Sequence, residues 1–252
     1  MYGMSVQVLM LVSFALGVGA VVKGATGLGL PVVAMPVLAS FLGVPHAIGI
    51  LTIPIIVTNI WQVWQLRESR HRTPFLIPML AAGTIGIIAG TFLLKVLPAS
   101  WSSLFLGLIL TAYIALRVGR PSFVLSAQTG RRVASPVGFV AGAVQGATGL
   151  SSPVGVPFIH SMRLPRDELV FSVSAMFLAF SVVQVVAMLY AGLYETRFVI
   201  EGLLALVPVT LLMPVGNWLG RILSPGLFDK LFITILAVIA GNLIYSALSA
   251  IL

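Results

Sequence analysis

The chain contains no cysteine and only 6 acidic residues in 252. The absence of cysteine excludes disulfide bonds and thiolate metal sites. The scarcity of carboxylates argues against a carboxylate proton relay or a cation cage within an apolar segment. Charged residues make up 8% of the chain and hydrophobic residues 59%, so almost every window of about 20 residues is apolar enough to span a bilayer. The composition therefore predicts an all-α polytopic membrane protein without a soluble domain.

The sequence also lacks the motifs of several enzyme classes. It contains no nucleotide-binding glycine loop, no H-E-x-x-H zinc signature and no G-x-S-x-G elbow. His160 has no second histidine or carboxylate at ligand spacing, so we predict no metal site. We therefore expect a protein that is not an enzyme and uses no cofactor. The net charge of +8 arises from the few acids, and most arginines lie in short loops, which indicates membrane orientation and not a nucleic-acid partner.

One pentapeptide, G-A-T-G-L, occurs twice, at residues 24–28 and 146–150. Each copy lies in a long apolar stretch and is followed by a proline, Pro31 or Pro153. The agreement extends over residues 20–33 and 142–155 without a gap. A duplicated, helix-breaking motif with a hydroxyl group is typical of the substrate site in a transporter built from two repeats.

Helix-breaking residues and charged residues divide the chain into eight apolar segments, four in each half. They cover residues 5–41, 46–66, 74–96 and 99–117, then 135–161, 168–191, 197–222 and 229–250. The division predicts a first membrane repeat at residues 1–120, a cytoplasmic linker at 121–134 and a second membrane repeat at 135–252. Both third segments contain a G-x-x-x-G pair, which lets helices approach closely: Gly86 with Gly90, and Gly216 with Gly220.

Charge counting favours opposite orientations for the two halves. If all eight segments cross the membrane, eight Lys and Arg residues lie inside and five outside; if the motif segments return to their own side, the counts are eleven and two. The positive-inside rule favours the second arrangement, which makes the halves inverted repeats. Residues 5–41 as one helix would also be about 55 Å long, against about 30 Å of hydrocarbon. We therefore predict broken helices or re-entrant hairpins at the two motifs, with both termini in the periplasm.

The motif residues predict an anion site. The glycines of residues 24–29 permit backbone conformations closed to other residues, and Pro31 suits the first turn of a new half-helix. The N-terminus of such a half-helix presents unpaired N–H groups and the positive end of a dipole, which attract anions. The second copy adds Ser151 and Ser152, so we expect more hydroxyl donors from the second half. Helix packing in lipid is the alternative role of these small residues.

Lys23 directly precedes the first motif, and Gln145 stands at the same place before the second. An ammonium inside an apolar segment usually marks a substrate contact, a counter-ion or a transport pathway. The alternative is that Lys23 extends to a membrane interface. We interpret Lys23 as a compensating charge for a bound anion.

Polar side chains on the segment after each motif form a second set, related by the same spacing of 122 residues. Side-chain amides can donate to an oxyanion without adding charge, although hydrogen bonds between helices are the alternative. The complete predicted substrate-binding set is Lys23, Gly24, Thr26, Gly27, Leu28, Asn59, Gln62, Gln145, Gly146, Thr148, Gly149, Ser151, Ser152, Ser181 and Gln184.

The motifs G-A-T-G-L-G-L-P at residues 24–31 and G-A-T-G-L-S-S-P at 146–153, with the two G-x-x-x-G pairs, resemble the sulfite exporter TauE/SafE family of membrane permeases. The resemblance covers essentially the whole chain. It implies movement of sulfur-containing anions, such as sulfite, sulfoacetate or other organosulfonates, across the bacterial inner membrane, more often as export.

We therefore expect a secondary transporter, in the exporting direction, that binds a small anion between the two motifs near the midplane of the bilayer. Protons are a candidate coupling ion, and the other partner is lipid. Two alternatives stay open at this point: a passive anion channel of the same fold, and a membrane assembly subunit that does not transport.

Overall fold

The computed structural model describes residues 6–26, 29–119, 124–222 and 225–251, which form ten α-helices and one short 3-10 helix and contain no strand. The α-helices are α1 (Val6–Thr26), α2 (Leu30–Leu42), α3 (Val44–Gln65), α4 (Leu76–Val96), α5 (Ala99–Gly119), α6 (Ala127–Thr148), α7 (Ser152–Ser161), α8 (Arg166–Ala191), α9 (Thr196–Ile222) and α10 (Pro225–Ile251). The 3-10 helix, Arg67–Arg72, lies between α3 and α4. The predicted all-α class is confirmed.

Five of the described helices are long and apolar enough, by length and composition, to cross a membrane. They are α3, α4, α5, α8 and the stretch Thr196–Leu219 of α9. Shorter apolar stretches occupy Val12–Ala25, Leu30–Leu42 and Leu236–Ile251. The chain is thus a membrane protein with multiple apolar helices, as its composition predicts.

Each predicted motif segment contains two helices. Residues 5–41 correspond to α1 and α2, and residues 135–161 correspond to α6 and α7. The helices extend further into the motifs than the glycines predict, because α1 continues through Thr26 and α6 continues through Thr148. Helix α6 also begins earlier than the predicted segment, since Ser126 caps it by accepting a hydrogen bond from the Thr129 N–H at 3.1 Å.

The chain divides into two compact units. Unit 1 comprises Met1–Pro54, Ala99–Thr111 and Thr196–Leu252, and unit 2 comprises Ile55–Pro98 and Ala112–Glu195. Unit 1 therefore contains the first motif together with α9 and α10, and unit 2 contains the second motif together with α4 and α8. The repeat boundaries at 1–120 and 135–252 stay a prediction.

In unit 1, α1 packs closely on α9. A side-chain carbon added to Gly24 would overlap the carbonyl oxygen of Met213, and one added to Gly216 would overlap the carbonyl oxygen of Val21. Glycine at both positions lets the two backbones touch, which favours helix association where lipid surrounds the helices. Close packing therefore explains why Gly24 belongs to a helix.

In unit 2, α6 packs on α4 through a longer glycine contact. Added carbons on Gly138, Gly142 and Gly146 would overlap carbonyl oxygens of α4, and those on Gly86 and Gly90 would overlap carbonyl oxygens of α6. The opposite side of α4 presents large apolar side chains, including Ile77, Ile85 and Phe92, which are all more than 60% exposed. Small residues thus face the neighbouring helix, and large ones form a surface suited to lipid.

Candidate functional site

The second motif forms a tight junction between α6 and α7. Gly149 ends α6 in the left-handed conformation, with φ of 75°, and its N–H donates to the Gln145 carbonyl at 2.7 Å. The Thr148 hydroxyl donates to the Val144 carbonyl at 2.7 Å and accepts from the Leu150 N–H at 3.3 Å. Glycine is suited to this turn because a Cβ disfavours positive φ.

Helix α7 begins at this junction with two serines. Ser151 occupies the N-cap position, and its backbone carbonyl accepts from the N–H groups of Val154 and Gly155 at 3.2 and 2.8 Å. Its hydroxyl does not cap the helix, although capping is the usual role of serine at this position. The hydroxyls of Ser151 and Ser152 therefore lie beside a helix N-terminus, whose dipole favours negative charge.

Helix α8 contributes an amide that ties three helices together. The Gln184 Nε2 atom donates to Thr91 Oγ1 of α4 at 3.2 Å and to the Gly146 carbonyl of α6 at 3.3 Å. Ser181 lies three residues earlier, on the same face of α8. Both side chains therefore belong to the helix face that meets the last turn of α6, just before the serines of α7.

Four buried side-chain atoms have no hydrogen-bond partner among the residues that the structure describes. They are Ser151 Oγ, Ser152 Oγ, Ser181 Oγ and Gln184 Oε1, and each of these residues is at most 1% exposed. Buried polar atoms are normally hydrogen-bonded, because leaving one unpaired costs about 1–3 kcal/mol. All four belong to the predicted substrate-binding set.

The polar cluster of unit 2, defined as Ser151, Ser152, Ser181 and Gln184, contains no charged side chain. Glu168 is the buried acid of α8, and it pairs with Arg72 at 3.8 Å. It precedes Ser181 by 13 residues, which is about 20 Å along the helix. A ligand at the cluster would thus meet hydroxyls, an amide and a helix N-terminus without a nearby carboxylate from α8 to repel an anion.

The other polar residues predicted in unit 2 differ in burial and in hydrogen bonding. The Asn59 amide donates to the Ile55 carbonyl at 2.7 Å. Gln62 Oε1 accepts a hydrogen bond from Ser174 at 3.1 Å, so this amide links α3 to α8. Gln145 is 4% exposed on the last turn of α6. The hydrogen bonding between helices that the sequence left open is present at Gln62, as it is at Gln184.

The first motif is described only in part. Lys23 is 1% exposed, so its ammonium is buried within unit 1 and does not extend to an exposed interface. Gly24 packs against α9. Thr26 is the last residue of α1, and its side chain lies outside the described part of the chain, as do residues Gly27 and Leu28.

The sequence did not single out two hydroxyls that complete the amide contacts. Thr91 accepts from Gln184, and Ser174 donates to Gln62. Thr91 directly follows the glycine pair of α4, and Ser174 precedes Ser181 by seven residues, so it lies on the same helix face. Helical spacing from Ser181 would have identified Ser174, and the position next to the G-x-x-x-G pair would have identified Thr91.

The chain matches the model of a known protein family. The family model described as Sulfite exporter TauE/SafE matches residues 11–243, which is nearly the whole chain. Neither the curated proteins nor the solved structures give a match.

Proposed function

Because the chain belongs to the sulfite exporter TauE/SafE family, a family of membrane transporters, we propose that it exports a small sulfur-containing anion such as sulfite, sulfoacetate or another organosulfonate. The proposed location is the bacterial inner membrane. The polar cluster of unit 2 is the proposed anion site.

One observation carries this proposal: buried polar atoms without a hydrogen-bond partner among the described residues fall on residues that the sequence predicts to bind substrate. The four buried atoms that have no hydrogen-bond partner in the described part of the chain belong to residues that the motif and its spacing point to. Hydroxyl groups and helix N–H groups recognise sulfonate and sulfite oxygens without a full positive charge. In this proposal, Ser151 and Ser152 donate to the anion from α7, and Ser181 donates from α8.

The remaining predicted residues have supporting roles in the proposal. Thr148 and Gly149 hold the turn that presents the two serines, and Gly146 lets α6 approach α4. That Lys23 compensates the charge of the anion stays a prediction, which its burial in an apolar helix supports. The idea that both motifs contribute to one site near the midplane stays a prediction.

Ligand-induced stabilisation of the purified protein tests the site. We expect sulfite or an organosulfonate to raise the unfolding temperature, and chloride or acetate to leave it unchanged, because only a ligand that binds the folded state stabilises it. The double variant Ser151→Ala/Ser152→Ala should weaken binding by at least about a hundredfold, since each of the two hydrogen bonds to a charged group contributes about 1.5–3 kcal/mol. Ser249→Ala, an exposed serine of α10, is the matched control and should bind normally.

Flux in proteoliposomes separates the alternatives. A carrier should show faster uptake when unlabelled anion is present on the opposite side, whereas a passive channel should show no such acceleration. An assembly subunit should show neither binding nor flux. Dependence of flux on an imposed proton gradient would identify protons as the coupling ion.

We further propose that the two halves are inverted repeats, with the loop at residues 67–73 in the cytoplasm. Since the chain is free of cysteine, single cysteines can report the side of each loop. With inverted repeats, Glu68→Cys should be protected from an impermeant maleimide in intact cells, and Glu195→Cys should be labelled. With parallel repeats, both positions should be protected.

A further inference from the structure

The orientation of the Gln184 amide is fixed by its partners. Its nitrogen lies 3.3 Å from the backbone carbonyl oxygen of Gly146 and 3.2 Å from Thr91 Oγ1. A carbonyl oxygen can only accept a hydrogen bond, so the atom that faces Gly146 must be the amide nitrogen. The reversed amide would place two acceptor oxygens against each other.

This orientation leaves Oε1 as a buried acceptor that cannot become a donor. Gln184 is fully buried, and Oε1 has no hydrogen-bond partner among the described residues. The hydroxyls of Ser151, Ser152 and Ser181 can each rotate to donate or to accept, whereas an amide oxygen only accepts. A ligand of the polar cluster therefore meets three adaptable hydroxyls and one group that requires a donor.

Resting on the proposed function, we propose that the transported compound carries, besides its anionic sulfur group, a hydrogen-bond donor, an O–H or N–H group, which binds Gln184 Oε1. For sulfite, the bound form is then hydrogen sulfite and not the dianion. For organosulfonates, a compound with an ammonium or hydroxyl group is preferred to its plain alkyl analogue. A ligand without a donor leaves Oε1 unpaired and places one of its own acceptor oxygens next to it. Sites of this kind discriminate strongly between a ligand with the donor group and an analogue that lacks it.

The affinity of the purified protein for sulfite on either side of neutral pH tests the O–H form, because hydrogen sulfite loses its proton near neutrality. The affinity for total sulfite should fall at least about tenfold on the alkaline side, in proportion to the loss of hydrogen sulfite. Methanesulfonate, which stays a monoanion without a donor, is the control for titration of the protein and should bind weakly at both pH values. The second arm tests the N–H form: taurine should bind at least about tenfold more tightly than ethanesulfonate.

Two variants assign the discrimination to Gln184. Gln184→Met keeps the size of the side chain and removes the acceptor, so the preference for ligands with a donor should disappear. Thr91→Val removes one partner of Nε2 and leaves Oε1 in place, so that preference should persist whatever happens to overall affinity. The ratio of two affinities in one variant does not depend on its stability, and the taurine comparison in the parent protein needs no variant.

The possible outcomes distinguish this inference from the proposed function. Equal binding of taurine and ethanesulfonate, with sulfite affinity unchanged by pH, would overturn the donor requirement and leave an anion transporter in place, with Oε1 bound to water. The absence of binding by every sulfur anion at both pH values would overturn the proposed function itself. Selective binding of the ligands with donors, lost in Gln184→Met, supports both.

Discussion

The two units share one backbone contact and differ in the chemistry beside it. In unit 1, Gly24 meets Met213 and Asn217 of α9; in unit 2, Gly146 meets Ile87 and Thr91 of α4. The two motif glycines are 122 residues apart in the chain. The glycines that they contact, Gly216 of α9 and Gly90 of α4, are 126 residues apart. The packing of the motif helix therefore recurs in both units.

The polar groups do not recur. Where the second copy has Ser151 and Ser152, the first has Gly29 and Leu30. Leu30 is fully buried, and a side-chain carbon on Gly29 would overlap Val22, so apolar contacts occupy this place in unit 1. Unit 1 contributes a buried ammonium, Lys23, where unit 2 has the neutral Gln145. The backbone contact is thus duplicated, whereas the buried polar groups differ between the two copies.

The largest expected effect is a loss of stability when the motif glycine that both units use for the helix contact is replaced. Gly146→Ala and Gly24→Ala each place a carbon against backbone atoms that cannot move aside, so each should destabilise the protein by about 3 kcal/mol or more. Thermal unfolding in detergent measures the change. Gly241→Ala in α10, where an added carbon meets nothing within 4 Å, should be neutral or slightly stabilising. A large loss for Gly146→Ala with none for Gly24→Ala would show that the two contacts are not equivalent.

Much of this architecture could be predicted from the sequence. Apolar length and composition predict the helices. The second motif pointed to Ser151 and Ser152, and the spacing of 122 residues pointed to Ser181 and Gln184, which together hold the four buried atoms without a partner among the described residues. The helical state of Gly24 could not be predicted, because a motif glycine suits a turn and a close helix contact equally well. The separation of the motifs into units that each combine helices from both halves depends on long-range packing, which local patterns do not encode.

The next largest effect concerns the charge that distinguishes the two copies, Lys23 in the first and Gln145 in the second. Lys23→Gln gives the first copy the residue of the second and removes a buried ammonium. We expect at least about a tenfold loss of anion affinity, or ~1.4 kcal/mol, measured by titration calorimetry at low and high salt. Salt should hardly change the loss, since screening acts weakly on buried charges. Lys95→Gln, an exposed lysine at the end of α4, is the control. Unchanged affinity in Lys23→Gln at both salt concentrations would remove Lys23 from anion recognition.

The smallest effect separates two positions that the spacing of 122 residues relates, Asn59 and Ser181. Asn59 donates a 2.7 Å hydrogen bond, so Asn59→Ala should lower the free energy of unfolding without ligand by about 1 kcal/mol or more. The Ser181 hydroxyl has no partner among the described residues, so Ser181→Ala should raise that free energy by up to about 1 kcal/mol while weakening anion binding. Opposite signs in stability and affinity are expected of a group held unsatisfied for a ligand. A loss of stability in Ser181→Ala without any loss of affinity would show that the hydroxyl has a structural partner, and α8 would then contribute only Gln184 to the site.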